Sequence, residues 1–176
     1  RAGNVIGGGD WAKDRIIPDL VKSFSNNSNI LIRNPNSTRP WQHVLDPLSG
    51  YLLLAKKLYE IPIQEKIKHN QDEINFFTSF NFGPNFTSNK TVEDVVKECL
   101  LYWEGDWNVE KANDGMHEAE KLTLSIEKAA NLLKWQPNWE FKKAIKHTME
   151  WYLKYSQNHL KAREYSLQDI EDYENQ

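Results

Sequence analysis

The sequence predicts an α/β fold in which helices alternate with short strands. Apolar residues recur at helical spacing in several separate stretches, short β-branched or aromatic runs lie between them, and Gly, Pro and Asn mark the joins. No fixed-period repeat runs through the chain, which excludes a solenoid or a propeller.

Residues 1–6 read as the end of a strand, followed by the loop Gly7-Gly8-Gly9. Ile16, Ile17, Leu20, Val21 and Phe24 then keep helical spacing, and Pro18 fits only the first turn of that helix. A short strand is expected over 30–33, closed by the turn Asn34-Pro35-Asn36. Residues 44–59 form a strongly apolar helix bounded by Pro62, and most of the core is expected there. A polar surface loop over 65–73 leads to a strand over 75–82.

Thr91 opens the next helix, with Asp94 three residues on in the pattern of a capping box, and this helix runs to about Trp103. Short strands are expected over 107–109 and 121–124. Ser125 is the expected N-cap of a helix carrying Ala129, Leu132 and Leu133, and Pro137 separates it from a last long helix over 141–159. One domain, 1–160, is expected, with residues 161–176 a frayed helix or polar tail.

The chain has 176 residues, 22 Lys and Arg against 25 Asp and Glu, and a formal charge of −3. That near-cancellation argues against nucleic acid or an anionic membrane as a partner, so any anion site must be local. No apolar run approaches the roughly 20 residues of a membrane span, and no signal-like segment opens the chain, so a cytoplasmic protein is expected. Four glycosylation sequons in this Asn-rich chain are read as coincidences on that ground. Cys99 has no partner cysteine and, beside Val95, Val96 and Leu100, reads as a core thiol. The first residue is Arg1 and the opening reads as the end of a strand, so a truncated chain is expected.

Gly7-Gly8-Gly9-Asp10-Trp11-Ala12 formally fits a dinucleotide fingerprint, yet Pro18 in the following helix and the lack of a second strand ending in an acidic residue argue against it. The glycines read either as a loop needing unusual backbone angles or as one shaped to face a ligand. Arg33 and Arg39 flank a tight turn. On spacing alone they are either surface charges or a pair of guanidinium forks for a diphosphate.

The histidines, His43, His69, His117, His147 and His159, make no metal-ligand spacing, and no metal site is expected. His147 reads as a helix-surface residue. His117, in a loop beside Glu118, either is an ordinary loop residue or reaches a ligand. The tryptophans fall mostly at element ends and read as core caps. No Tyr has a Lys four residues later, and no nucleophile–base pair is visible, so no complete active site lies in this chain.

Three ordered segments carry a family resemblance. They are Arg1-Ala2-Gly3-Asn4-Val5-Ile6-Gly7 with Asp14-Arg15-Ile16-Ile17-Pro18, Ile32-Arg33-Asn34-Pro35 with Arg39-Pro40-Trp41-Gln42-His43-Val44-Leu45-Asp46-Pro47, and Leu132-Leu133-Lys134-Trp135-Gln136-Pro137. Over residues 1–155 the chain resembles the C-terminal part of the NAD-binding, Rossmann-type extended short-chain dehydrogenase/reductases that act on nucleotide sugars. Arg39-Pro40-Trp41-Gln42-His43-Val44, Asn81-Phe82-Gly83-Pro84 and His117-Glu118-Ala119 look like the branch that dehydrates CDP-glucose.

The resemblance implies that Asn4 and Arg39 contact the sugar diphosphate, that Arg15, Arg33 and His117 line the nucleotide pocket, and that Arg1 and Ala2 lie near the nicotinamide. It also implies an NAD cofactor held mainly by a preceding half that carries the Tyr/Lys pair. That NAD takes hydride from C4 of the hexose, water leaves across C5 and C6, and hydride returns to C6. A homodimeric parent is expected, with no catalytic residue in this chain and cell-surface polysaccharide synthesis as the destination of its product. A GDP-mannose dehydratase, a UDP-sugar epimerase and a non-catalytic nucleotide-sugar binding module share the Asn4 and Arg39 roles and stay open as alternatives.

Overall fold

The computed structural model describes residues 1–61, 76–110 and 121–176. Strand β1 (Asn4–Ile6) is followed by helix α1 (Ile16–Ser25), strand β2 (Ile30–Ile32), strand β3 (Thr38–His43) and helix α2 (Leu45–Glu60). Strand β4 (Asn89–Thr91), helix α3 (Val92–Cys99), strand β5 (Trp107–Val109), helix α4 (Phe141–Gln157) and helix α5 (Ala162–Glu174) complete the order, joined by single turns at Phe86–Ser88, Ala129–Leu133 and His159–Lys161.

The main sheet has the order β1-β3-β4, with β1 parallel and β4 antiparallel to β3. A second ladder pairs β2 with β5 in parallel. Beyond β1, Ala2 bridges Phe82 in parallel, and the Arg1 nitrogen donates to the Phe80 carbonyl at 2.6 Å. Phe82 is all that the described part of the expected 75–82 strand contributes to a ladder.

The expected apolar stripe of α1 forms: Ile17, Leu20, Val21 and Phe24 are buried, and Pro18 sits in the first turn. They pack with Ile6, Trp41, Val95, Val96 and Cys99, and with the inner face of α4 (Phe141, Ala144, Ile145, Met149, Trp151, Tyr152). Both bonds of the Thr91–Asp94 capping box are present, each 3.0 Å long. Cys99 is fully buried, and burial raises its thiol well above the ordinary range, as a core thiol requires. A smaller core gathers Phe80, Phe82, Ala129, Leu133 and Trp135 beneath α2. There Gly50 lets the Phe82 ring approach so closely that a Cβ would lie 2.2 Å from it.

Several expectations need correction. Residues 38–43, given no element between the turn Asn34-Pro35-Asn36 and the helix from Val44, form the central strand β3, because Pro40 is held by neighbouring strands while its side chain packs near Gly3. Residues 121–124 contribute only a bridge from Lys121 to Thr38. Ser125 caps no helix: its carbonyl accepts from Asn81, and the short helical segment that follows is closed by Lys134 at a left-handed φ of 56°.

The segment read as a polar tail, 161–176, folds as α5 and docks on α4. Its inner face is spaced as Ala162, Tyr165, Ser166, Asp169 and Tyr173. Trp151 Nε1 donates to Ser166 Oγ at 3.0 Å, and His147 Nδ1 meets Asp169 Oδ1 at 2.9 Å. His147 is therefore a buried interface residue and not a surface one. The expected bound at Pro62 and the loop 65–73 lie outside the described residues.

The expectation that the 44–59 helix holds most of the core fails: the main core is built by α1, α3 and α4. Helix α2 buries Asp46, Pro47 and Gly50, while Leu48, Tyr51, Leu52 and Tyr59 face outward on one stripe, Leu52 at 72% and Tyr59 at 88% exposure. Among the described residues no helix is long and apolar enough to cross a membrane.

Candidate sugar-nucleotide site

The register of the main sheet brings Asn4 and Arg39 together. Asn4 pairs with Trp41 across β1 and β3, and Arg39 lies two residues before Trp41, so pleat alternation points all three side chains to one face. With strands about 4.8 Å apart and a rise of about 3.3 Å per residue, Asn4 and Arg39 lie about 8 Å apart at Cα. Arg39 is buried to 8% exposure, and its Nη1 donates to the Thr38 carbonyl at 2.9 Å, which seats the guanidinium on the strand. Trp41 Nε1 donates to the Lys90 carbonyl at 2.9 Å and locks β3 to β4.

Arg15 and Arg33 are placed differently. Both are exposed, Arg15 paired with Asp10 at 3.3 Å, and Arg33 with Asp14 at 3.5 Å and Glu110 at 3.9 Å. These pairs sit on the loops before α1 and after β2, where solvent leaves each contributing about 0–1 kcal/mol. His117 lies outside the described residues. Arg1 is exposed, and Ala2 is fixed by its bridge to Phe82.

Sequence reasoning passed over three buried polar residues at the end of β3 and the start of α2. Gln42, His43 and Asp46 are almost wholly buried, a polar run inside an apolar stretch whose placement was its only signal. Gln42 Nε2 donates to the Phe82 carbonyl at 2.9 Å and holds the Phe82 segment against β3. His43 packs on Trp139, which stacks on His147 with centroids 3.9 Å apart. Asp46 Oδ1 accepts from the Asn138 amide at 2.7 Å and from the Tyr173 hydroxyl at 2.9 Å, so α5 is pinned to the start of α2.

Burial, and next the nearby His147, push the His43 imidazole down from 6.5 to about 3. A histidine depressed in this way is neutral when folded and protonates on unfolding, so its contribution to stability falls as pH drops below 6.5. Asp46 runs the other way: burial raises its carboxyl, so its contribution falls as pH rises from 3.8. In a polypeptide that unfolds cooperatively, denaturant titrations between pH 4.5 and 6.5 are expected to show stability lost on acidification by up to about 1.4 kcal/mol per pH unit faster in the wild type than in His43→Gln. Equal slopes would remove His43 as the cause.

The chain is 44% identical over 154 residues to CDP-glucose 4,6-dehydratase of Salmonella typhimurium, a match covering 86% of this chain and 40% of that protein. Over these residues the chain is similar to CDP-glucose 4,6-dehydratase. It spans about two-fifths of that relative's length. No protein-family model matches it.

Solved structures agree on the fold. UDP-glucuronic acid 4-epimerase from Bacillus cereus, in complex with UDP-glucuronic acid and NAD, superposes with a TM-score of 0.64 at 15% identity, covering 88% of this chain and 44% of that one. The dTDP-glucose 4,6-dehydratase from Bacillus anthracis, in complex with NAD, gives 0.60 at 21% identity over 88% and 43%.

The likeness in fold to NAD-bound structures raises the question of whether the Gly7-Gly8-Gly9 loop suits a dinucleotide. It does not. A Cβ on Gly8 would lie 2.1 Å from the Trp151 ring, so that glycine admits a core tryptophan where a pyrophosphate would need open space. Gly9, at a φ of 84°, simply turns the chain.

Proposed function

We propose that this chain is the sugar-nucleotide-binding part of an NAD-dependent nucleotide-sugar dehydratase acting on CDP-glucose, and that the catalytic Tyr/Lys pair and the NAD site belong to another part of a longer polypeptide. The observation that carries the reading is the placing of Asn4 and Arg39 on one face of paired strands, in a chain 44% identical to CDP-glucose 4,6-dehydratase. In this role the Asn4 amide donates to a phosphate oxygen. Arg39 supplies charge and a planar fork for a second, and Trp41 fixes the spacing between them. These residues bind and orient the substrate; they transfer no proton or hydride. Arg15 and Arg33 would have to leave their carboxylate partners to reach a nucleotide.

The outward stripe of α2 supports a longer polypeptide. Leu48, Tyr51, Leu52 and Tyr59 form an apolar face of the kind that an α/β fold covers with its sheet, and β1 with the Ala2–Phe82 bridge makes a parallel edge that such folds bury. The isolated 176-residue chain is therefore expected to convert no CDP-glucose to a 4-keto-6-deoxy product when NAD is added, and to unfold without a single cooperative transition. Product formation would overturn the assignment of catalysis elsewhere, and a sharp transition would overturn the dependence on further sheet. Calorimetric titration of the full-length polypeptide with CDP-glucose tests the binding role itself.

A further inference from the structure

We infer that Lys90 is a second cationic contact for the diphosphate of the sugar nucleotide, acting beside Arg39. The inference rests on the reading of Asn4 and Arg39 given above and extends it to a residue on a third strand.

Three observations place Lys90 there. In the antiparallel β3/β4 ladder Lys90 stands directly opposite Arg39, so the two side chains leave the sheet on the same face as Asn4. Its backbone is fixed from both sides. The Lys90 carbonyl accepts from Trp41 Nε1, and the next residue, Thr91, is locked into the capping box that starts α3. Lys90 is also half-buried, whereas most lysines of the described residues are exposed and several of those pair with Glu at i±4.

Two cations directly opposite on neighbouring strands repel each other, and that repulsion grows as water is excluded. A doubly charged anion bridging them reverses its sign, because each phosphate then takes one cation and Asn4 adds a neutral donor. Lysine suits this position as a compact point charge on a flexible stem, beside an arginine whose fork is seated by the Thr38 carbonyl.

The test compares Lys90→Met, Lys90→Arg and Arg39→Ala in the full-length polypeptide, titrated with CDP-glucose and with cytidine, which has no phosphate. Lys90→Met is expected to weaken CDP-glucose binding about tenfold, to flatten its dependence on salt and to leave cytidine binding unchanged, with Lys90→Arg restoring most of the loss. If Arg39→Ala weakens CDP-glucose binding and Lys90→Met does not, the Lys90 inference fails alone. If neither substitution matters, the diphosphate site itself is wrong. Equal losses for CDP-glucose and cytidine in Lys90→Met would mean that the lysine only supports the strand, and would overturn the inference too.

Discussion

Arg39→Ala in the full-length polypeptide is expected to weaken CDP-glucose binding by between about tenfold and about a hundredfold, the range for losing charge-assisted hydrogen bonds at a partly dehydrated site. Arg39 is buried to 8% exposure, so its interaction with a phosphate is screened far less than that of Arg15 or Arg33, which are exposed. Arg15→Ala is accordingly expected to change affinity less than threefold. Arg39→Lys should fall between, since charge is kept while the fork is lost. Calorimetric titration with CDP-glucose reads all three. Unchanged affinity in Arg39→Ala would sink the proposed site, and a loss in Arg15→Ala matching that of Arg39→Ala would move the site to the loop before α1.

Trp139→Ala is expected to destabilise the folded protein by about 3–5 kcal/mol, the largest single stability loss foreseen here. Its ring is 1% exposed and lies between His43 and His147, with the Tyr173 ring edge-on at 5.4 Å. The residue therefore joins the strand that carries Arg39 to α4 and α5, and a cavity there removes packing from three elements at once. Thermal melting of the full-length polypeptide is expected to shift down by about 10 °C, at roughly 2–4 °C per kcal/mol. A shift under about 2 °C would show that α4 and α5 close over the gap without the ring.

The parts of this fold legible from the residues are those with local causes. The α1 stripe follows from side chains three and four apart, and the α3 start from a reciprocal bond between Thr91 and Asp94. The strand β3 was hidden because Pro40 and the polar run around it resemble a turn. It is held by partners as far away as Asn4 and Lys90, which no local window contains. The same holds for α5. Its acidic, weakly amphipathic sequence looks like a tail until Tyr173 reaches Asp46, 127 residues away, and Asp169 reaches His147.

The sequence by itself determined the α/β class, the resemblance to nucleotide-sugar enzymes and the candidates Asn4 and Arg39, because these rest on residue type, order and short-range spacing. Only the tertiary structure decided which candidates share a face, that Arg15 and Arg33 stand in surface ion pairs, that Gly8 serves Trp151, and that Lys90 lies opposite Arg39. The physical reason is that strand register and burial are set by the whole chain's packing: a one-residue slip of β3 would turn Arg39 to the opposite face without altering a letter of the sequence.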